Sequence, residues 1–424
     1  MSVIEAVLLG AGSRGYDAYG RQALAHPDRI RFVAVAEPNR ERLARFASAH
    51  GIPPARQFLS WDELLSRPRM GQVLFNCTLD AMHAASTVRA LELGYQVLLE
   101  KPMADTLEGC LAIEQAARRT GTMVEVAHVL RYTEFYAAVH RIVESGELGQ
   151  VICARQTENV AHWHMAHSFV RGNWRRGVPM ILAKCCHDLD LLQWNLGPAS
   201  RIASHGSLVH FSSRRAPPGA TRRCTDGCPV EPRCPHSALR IYLSQHTGWP
   251  VNVISEDLSL EARRRALQSG PYGRCVFHCD NDVVDNQVVT MDLARGGTAT
   301  LVMQGHAPHD ERTLRYDGTH ATLSGRFFKA GGSTIEIQDH LTGVVRVIEP
   351  AYGDDLHGGG DTGLMQAFTT AVRQGRGSQN SVRQALESHL MAFAAEEARL
   401  TGTQVDLDPY RRMAGAKTHE PGDG

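Results

Sequence analysis

Six residues, Ile4 to Leu9, run as an apolar strand straight into Gly10-Ala11-Gly12-Ser13-Arg14-Gly15, and that junction constrains the fold more than any other part of the chain. A G-x-G-x-x-G turn between a strand and a helix-forming segment, here Tyr16 to Ala25, has a role for each glycine. Gly10 permits the tight turn, Gly12 lets a pyrophosphate approach the backbone, and Gly15 allows close helix–strand packing. A second buried strand, Phe32 to Ala36, ends in Glu37, 22 residues past Gly15. That is about where a carboxylate holds the hydroxyls of an adenosine ribose. Strand, glycines, helix, strand and acid together imply a dinucleotide site, with Ser13 and Arg14 in its phosphate turn. Glu37 favours NAD, because a carboxylate repels a ribose phosphate, while Arg40 and Arg42 keep NADP open.

The alternation continues with strands at 73–77, 96–100 and 123–127 and helices at 84–93 and 107–119. Such alternation predicts parallel βαβ units and a doubly wound sheet. Its strand ends bring Thr78 and His83 toward the cofactor. The strand to Leu99 closes on Glu100-Lys101-Pro102, and open sheets of this kind bind ligands at their carboxyl ends. Lys101 beside a nicotinamide places a positive charge on a substrate oxygen.

Composition narrows the class. The 424 residues allow two or three domains, and 45 basic residues balance 45 acidic ones. Neither nucleic acid nor an anionic membrane is expected as a partner. No apolar run reaches the roughly 18 residues of a spanning helix. The start lacks a signal pattern, and ten cysteines in such a chain suggest thiols or metal ligands rather than disulfides. A cytoplasmic protein is expected.

With the glycine turn, Glu37, Glu100-Lys101-Pro102 and Ser145-Gly146-Glu147-Leu148-Gly149 in order, the chain resembles the Gfo/Idh/MocA oxidoreductases. The resemblance implies a Rossmann domain over 1–128 and a substrate and oligomerisation domain over 129–410, built on a large, mostly antiparallel open sheet. A polar tail would follow at 411–424. It further implies hydride transfer at a sugar or cyclitol carbon, a homodimer or homotetramer, and Lys101 as the family's catalytic lysine. The family's second motif, an Asp with a His four residues on, falls on Ala183 and His187, with Asp190 on a recurrent acid. The Asp position is therefore empty of acid. Residues three apart share a helix face, so Lys184, His187 and Asp190 are expected in one pocket, with Lys184 partly replacing the missing acid beside His187 as base.

Between the strand at 151–160 and His187 lies a segment dense in hydrogen-bonding and stacking groups. Trp163, His164, His167, Arg171 and Trp174 are its substrate candidates, joined by the Arg131-Tyr132 pair. An insert at about 214–280 carries Cys224, Cys228 and Cys234, followed by Cys275. Four soft thiolates suit a structural zinc or an iron–sulfur cluster. Later strands are expected at 288–293, 298–303, 321–324, 334–338 and 344–348, and helices at 364–373 and 381–400. The functions to separate are an NAD(P)-dependent sugar or cyclitol dehydrogenase, an NAD-dependent glycosidase using transient oxidation, and a dinucleotide-binding sensor.

Overall fold

The computed structural model describes residues 3–328, 332–377 and 380–415. Six strands make the first sheet: β1 (Ile4–Leu9), β2 (Ile30–Ala36), β3 (Gln57–Phe58), β4 (Val73–Asn76), β5 (Gln96–Leu99) and β6 (Val124–Val126). They are all parallel, in the order β3-β2-β1-β4-β5-β6. Their near-continuous apolar runs follow from burial on both faces. Val7 and Leu9 of β1 point into one core layer, Ala6 and Leu8 into the other. Helices His83–Glu92 and Leu107–Thr120 cover the first layer, and Arg40–His50 and Gly360–Gln374 the second. The last of these comes from late in the chain and sets Phe368 edge-on against Phe75 of β4.

The chain order reverses between β1 and β4, which opens a crevice at the carboxyl edge. Backbone bonds keep that edge level: Gly10 donates to Ala36, Cys77 to Leu9 and Glu100 to Asn76. The glycine turn, Glu37, Thr78 and Lys101 all emerge there.

The second sheet has nine strands, β7 (Val151–Ala161), β8 (Ala199–Ser207), β9 (Asn286–Leu293), β10 (Thr298–Ala307), β11 (Glu311–Gly318), β12 (Ala321–Phe328), β13 (Thr334–Asp339), β14 (Val345–Ile348) and β15 (Val405–Asp406). The order is β14-β13-β12-β11-β7-β10-β9-β8-β15, antiparallel except for the β7–β10 pair. Helices Glu134–Glu144, Cys186–Leu196 and Val382–Thr401 cover one face. Of these nine strands, β8, β11 and β15 escape sequence reading. In β11 only Leu314 and Tyr316 are large buried apolar residues, so its charged exposed positions mask the alternation.

Two expectations change. The segment after the glycine turn is not one α-helix: wide π-type turns over Arg14–Gly20 precede a short helix, Arg21–Ala25. The expected polar tail at 411–424 starts inside a helix, Asp408–Met413, and residues 416–424 lie outside those described. Among the described residues the 214–280 insert contributes no strand. It folds around a small cluster of Ala238, Tyr242, Val251 and Leu267. No helix among the described residues is long and apolar enough to cross a membrane.

Candidate active site

The glycine turn has the shape a pyrophosphate requires. Gly10 sits at φ +86°, and a Cβ there would lie 2.4 Å from the Cys77 carbonyl oxygen. A Cβ on Gly15 would lie 2.1 Å from the Gly10 oxygen. Above Gly12 the nearest atom to such a Cβ is Arg42 Nη1, at 4.0 Å. Two glycines are thus locked against protein, and the third faces open space where a phosphate can reach the backbone. Glu37, buried at the end of β2, accepts from the Ala11 and Asn39 amides at 2.8 and 2.9 Å. These residues fit a dinucleotide. Arg40 is exposed, and Arg42 is the arginine that overhangs the turn.

Beside the turn lies a cavity of about 260 Å³ lined by Ser13, Arg14, Thr78, His83, Glu100, Lys101, Trp174, Lys184 and His187, among others. Arg14 donates to Glu100 and Asp361, both at 2.7 Å, and Tyr19 also donates to Glu100. That buried network holds the β5 end against the glycine turn. His83 sits behind Lys101, its ring nitrogens 2.8 Å from the Pro102 oxygen and 3.1 Å from that of Thr78. The Lys101–Pro102 bond is cis. Lys101 Nζ donates to the Ala183 carbonyl at 2.9 Å and lies over the Trp174 ring at 5.9 Å.

His187 is buried in the first turn of Cys186–Leu196, with Nδ1 unpartnered among the described residues. Burial, then the charges of Lys101 and His128, hold its pKa well below the ordinary histidine value. It is a neutral imidazole at physiological pH. Lys184 lies in the break between helix Met180–Ala183 and the His187 helix, so the expected shared face with His187 and Asp190 does not form. Its ammonium instead sits 3.4 Å from Glu158 on β7. Burial raises Glu158 to about 7, against the pull of Arg312 and Lys184. Glu158 escaped sequence reading because nothing local marks an inward-facing acid on a strand.

Several expected substrate residues lie elsewhere. Arg131 and Asp190 pair with each other through two bonds of 2.7 and 2.6 Å, and His128 joins them at 3.0 Å. Burial would raise Asp190, but Arg131 and His128 hold it well below the usual carboxylate range. This buried group backs His187 rather than lining the cavity. Arg171 is fully buried and donates to the Arg274 and His236 carbonyls, so it braces the insert. His167 bonds Tyr242 and stacks on Tyr272. Trp163 packs edge-on against Trp249. Tyr132 lines a neighbouring outer cavity of about 840 Å³. His164, paired with Asp310 at 2.9 Å, and Trp174, donating to Asp80 at 2.9 Å, do line the inner one. Trp249 of the insert lines both cavities, a position that no local sequence signal announces.

Cys224, Cys228, Cys234 and Cys275 gather round one small pocket. Backbone amides donate to their sulfurs, from Ala238 to Cys224, Val230 and Glu231 to Cys228, His236 to Cys234, and Phe277 to Cys275. Among the described residues, however, no three His, Cys, Asp or Glu side chains are arranged to hold a metal ion. The expected zinc is therefore unsupported.

The model of the Gfo/Idh/MocA oxidoreductase family, with its NAD-binding Rossmann fold, matches residues 4–128. The chain is 24% identical to the oxidoreductase YteT of Bacillus subtilis over 68% of its own length and 69% of that protein's. It is 28% identical to inositol 2-dehydrogenase of Burkholderia multivorans over 50% of this chain, a match spanning only 60% of that enzyme. The fold is shared with levoglucosan dehydrogenase solved with NADH and levoglucosan, at a TM-score of 0.70 and 17% identity, covering 96% of this chain and 99% of that one. The first domain, whose crevice carries the Lys101 cavity, thus matches the NAD-binding Rossmann fold of the Gfo/Idh/MocA oxidoreductase family.

Proposed function

We propose that the chain is an NAD(P)-dependent dehydrogenase that acts on a secondary alcohol carbon of a sugar, sugar derivative or cyclitol. The observation that carries this reading is the meeting of Lys101, neutral His187 and the glycine turn in one cavity. When bound, NAD supplies the hydride acceptor. The chain's own residues manage charge and proton. Lys101 stabilises the developing alkoxide, and His187, lacking a competing proton, accepts the hydroxyl hydrogen. Trp174 offers a ring face, and His164 and Asp310 offer polar contacts to hydroxyls. The names of the relatives, inositol 2-dehydrogenase and levoglucosan dehydrogenase, support a cyclitol or sugar substrate.

The test is to incubate the purified protein with NAD or NADP and a panel of sugars, cyclitols and aryl glycosides. Net NADH or NADPH formation is the expected result. Aglycone release at constant NADH would instead assign a glycosidase working by transient oxidation, and dinucleotide binding with neither would assign a sensor.

Where the resemblance implies an acid, this chain has Ala183, and next to it stands Lys184 backed by buried Glu158. Burial brings the Glu158 carboxyl up to about 7, close to where a general acid or base works best. Below about pH 7 Glu158 is protonated and gives Lys184 no counter-charge; above it the carboxylate forms and holds the ammonium in place. We expect Lys184→Ala to lower kcat by about tenfold to a hundredfold, and Glu158→Gln to abolish an inflection near pH 7 in log kcat. A Lys184→Ala enzyme within about threefold of wild type would relegate Lys184 to a packing role.

A further inference from the structure

The insert reaches the cofactor end of the first domain with Glu256 among its residues. Glu256 extends from the insert to helix Arg40–His50, accepting from Arg42 Nε at 2.9 Å and pairing with Arg45 through its other oxygen. Its own side chain is 18% exposed, against 33% for Arg42 and 38% for Arg45. Arg42 is also the group nearest the open side of Gly12, and it lies five residues past Glu37. Arg45 covers the Tyr16 ring, at 4.2 Å, on the segment that follows the glycine turn. Two guanidinium groups therefore flank the place where the adenosine ribose is expected.

Arginines in that place ordinarily accommodate the 2′-phosphate of NADP. Here their donors face a carboxylate supplied from far along the chain. We propose that Glu256 is a cofactor-specificity residue: it occupies Arg42 and Arg45 as an internal anion and so denies them to a 2′-phosphate. Glu37 and Glu256 then act on different parts of one choice. Glu37 offers acceptors to ribose hydroxyls, and Glu256 withdraws the cations that would reward a phosphate. Because discrimination is a difference of two affinities, removing the repulsive element is expected to change the ratio more than either affinity for NAD alone.

The inference rests on the dinucleotide reading above, and its test keeps the two apart. Dissociation constants for NAD and NADP are measured by calorimetry on the full-length wild type and on Glu256→Gln. The ratio of the NADP to the NAD constant is expected to fall by about tenfold in the variant, by an amount that shrinks with added salt. Adding Arg42→Ala and Arg45→Ala to Glu256→Gln should cancel the gain. Glu256→Asp, which draws the carboxylate back by one methylene, is the second variant and should shift the ratio in the same direction with the insert's charge retained. A ratio within about twofold of wild type in both variants, or equal weakening of both cofactors, makes Glu256 a docking contact and overturns the proposal. Failure of the wild type to bind either cofactor defeats the dinucleotide reading itself.

Discussion

Lys101→Met is expected to lower kcat by about a hundredfold to a thousandfold while leaving the dissociation constant for NAD within about threefold. Its ammonium reaches the Ala183 carbonyl and the Trp174 ring within the cavity, on the side where His187 stands, so its main contribution is expected at the reacting oxygen rather than at the phosphates. Among the described residues its acceptor is the Ala183 backbone oxygen, which leaves the ammonium two further protons to offer an alkoxide. Methionine keeps the stem and its packing on Trp174 but removes both charge and donors, so loss of fold is a minor concern. Lys101→Arg should recover little, because a planar guanidinium does not reproduce a compact ammonium in this space. Steady-state kinetics with NAD titrations check the split. A kcat loss below about tenfold, or a large loss of NAD affinity, would remove Lys101 from the chemistry.

The first sheet was legible because its signals are local. Buried parallel strands are apolar runs, the glycines sit at fixed offsets, and Glu37 falls at a set distance. The second sheet was less so. Its strands are half solvated, and β8, with Ala199, Ile202 and Ser204 as buried positions, has too little apolar contrast to stand out.

The site divides along the same line. Lys101 and His187 were readable from motifs, and both line the cavity. Which arginine faces the cavity was not readable, since exposure of Arg131, Arg171 or Arg312 is decided by partners 59 to 154 residues away. Asp190 claims Arg131, two carbonyls claim Arg171, and Arg312 is left at the cavity wall while paired with Asp188 and Glu158. Lys184 failed as a helix-face reading for a different reason. The backbone breaks at that residue, with φ −109° and ψ −52°, and periodicity cannot be carried across a break.

The second large effect is expected at His187. His187→Ala should reduce kcat by about a hundredfold to ten-thousandfold, the range for a lost general base. Its pH dependence gives the sharper test. The imidazole must be neutral to accept a proton, so activity falls when acid protonates it. Burial, Lys101 and His128 depress its pKa, which moves that acid limb below the ordinary histidine range and leaves the base active across neutral pH. Stability follows the same sign. Below the unfolded value of about 6.5 the unfolded chain binds a proton that folded His187 resists, so unfolding is favoured as pH falls from there. His187→Ala removes that acid penalty while it removes catalysis, and His187→Gln keeps the volume without a titratable group. Melting curves at pH 7.5 and 5.5 should therefore show a smaller acid loss in both variants than in wild type. An unchanged acid loss together with near-normal kcat would place the proton acceptor elsewhere, with Glu158 and Lys184 as the next pair to remove.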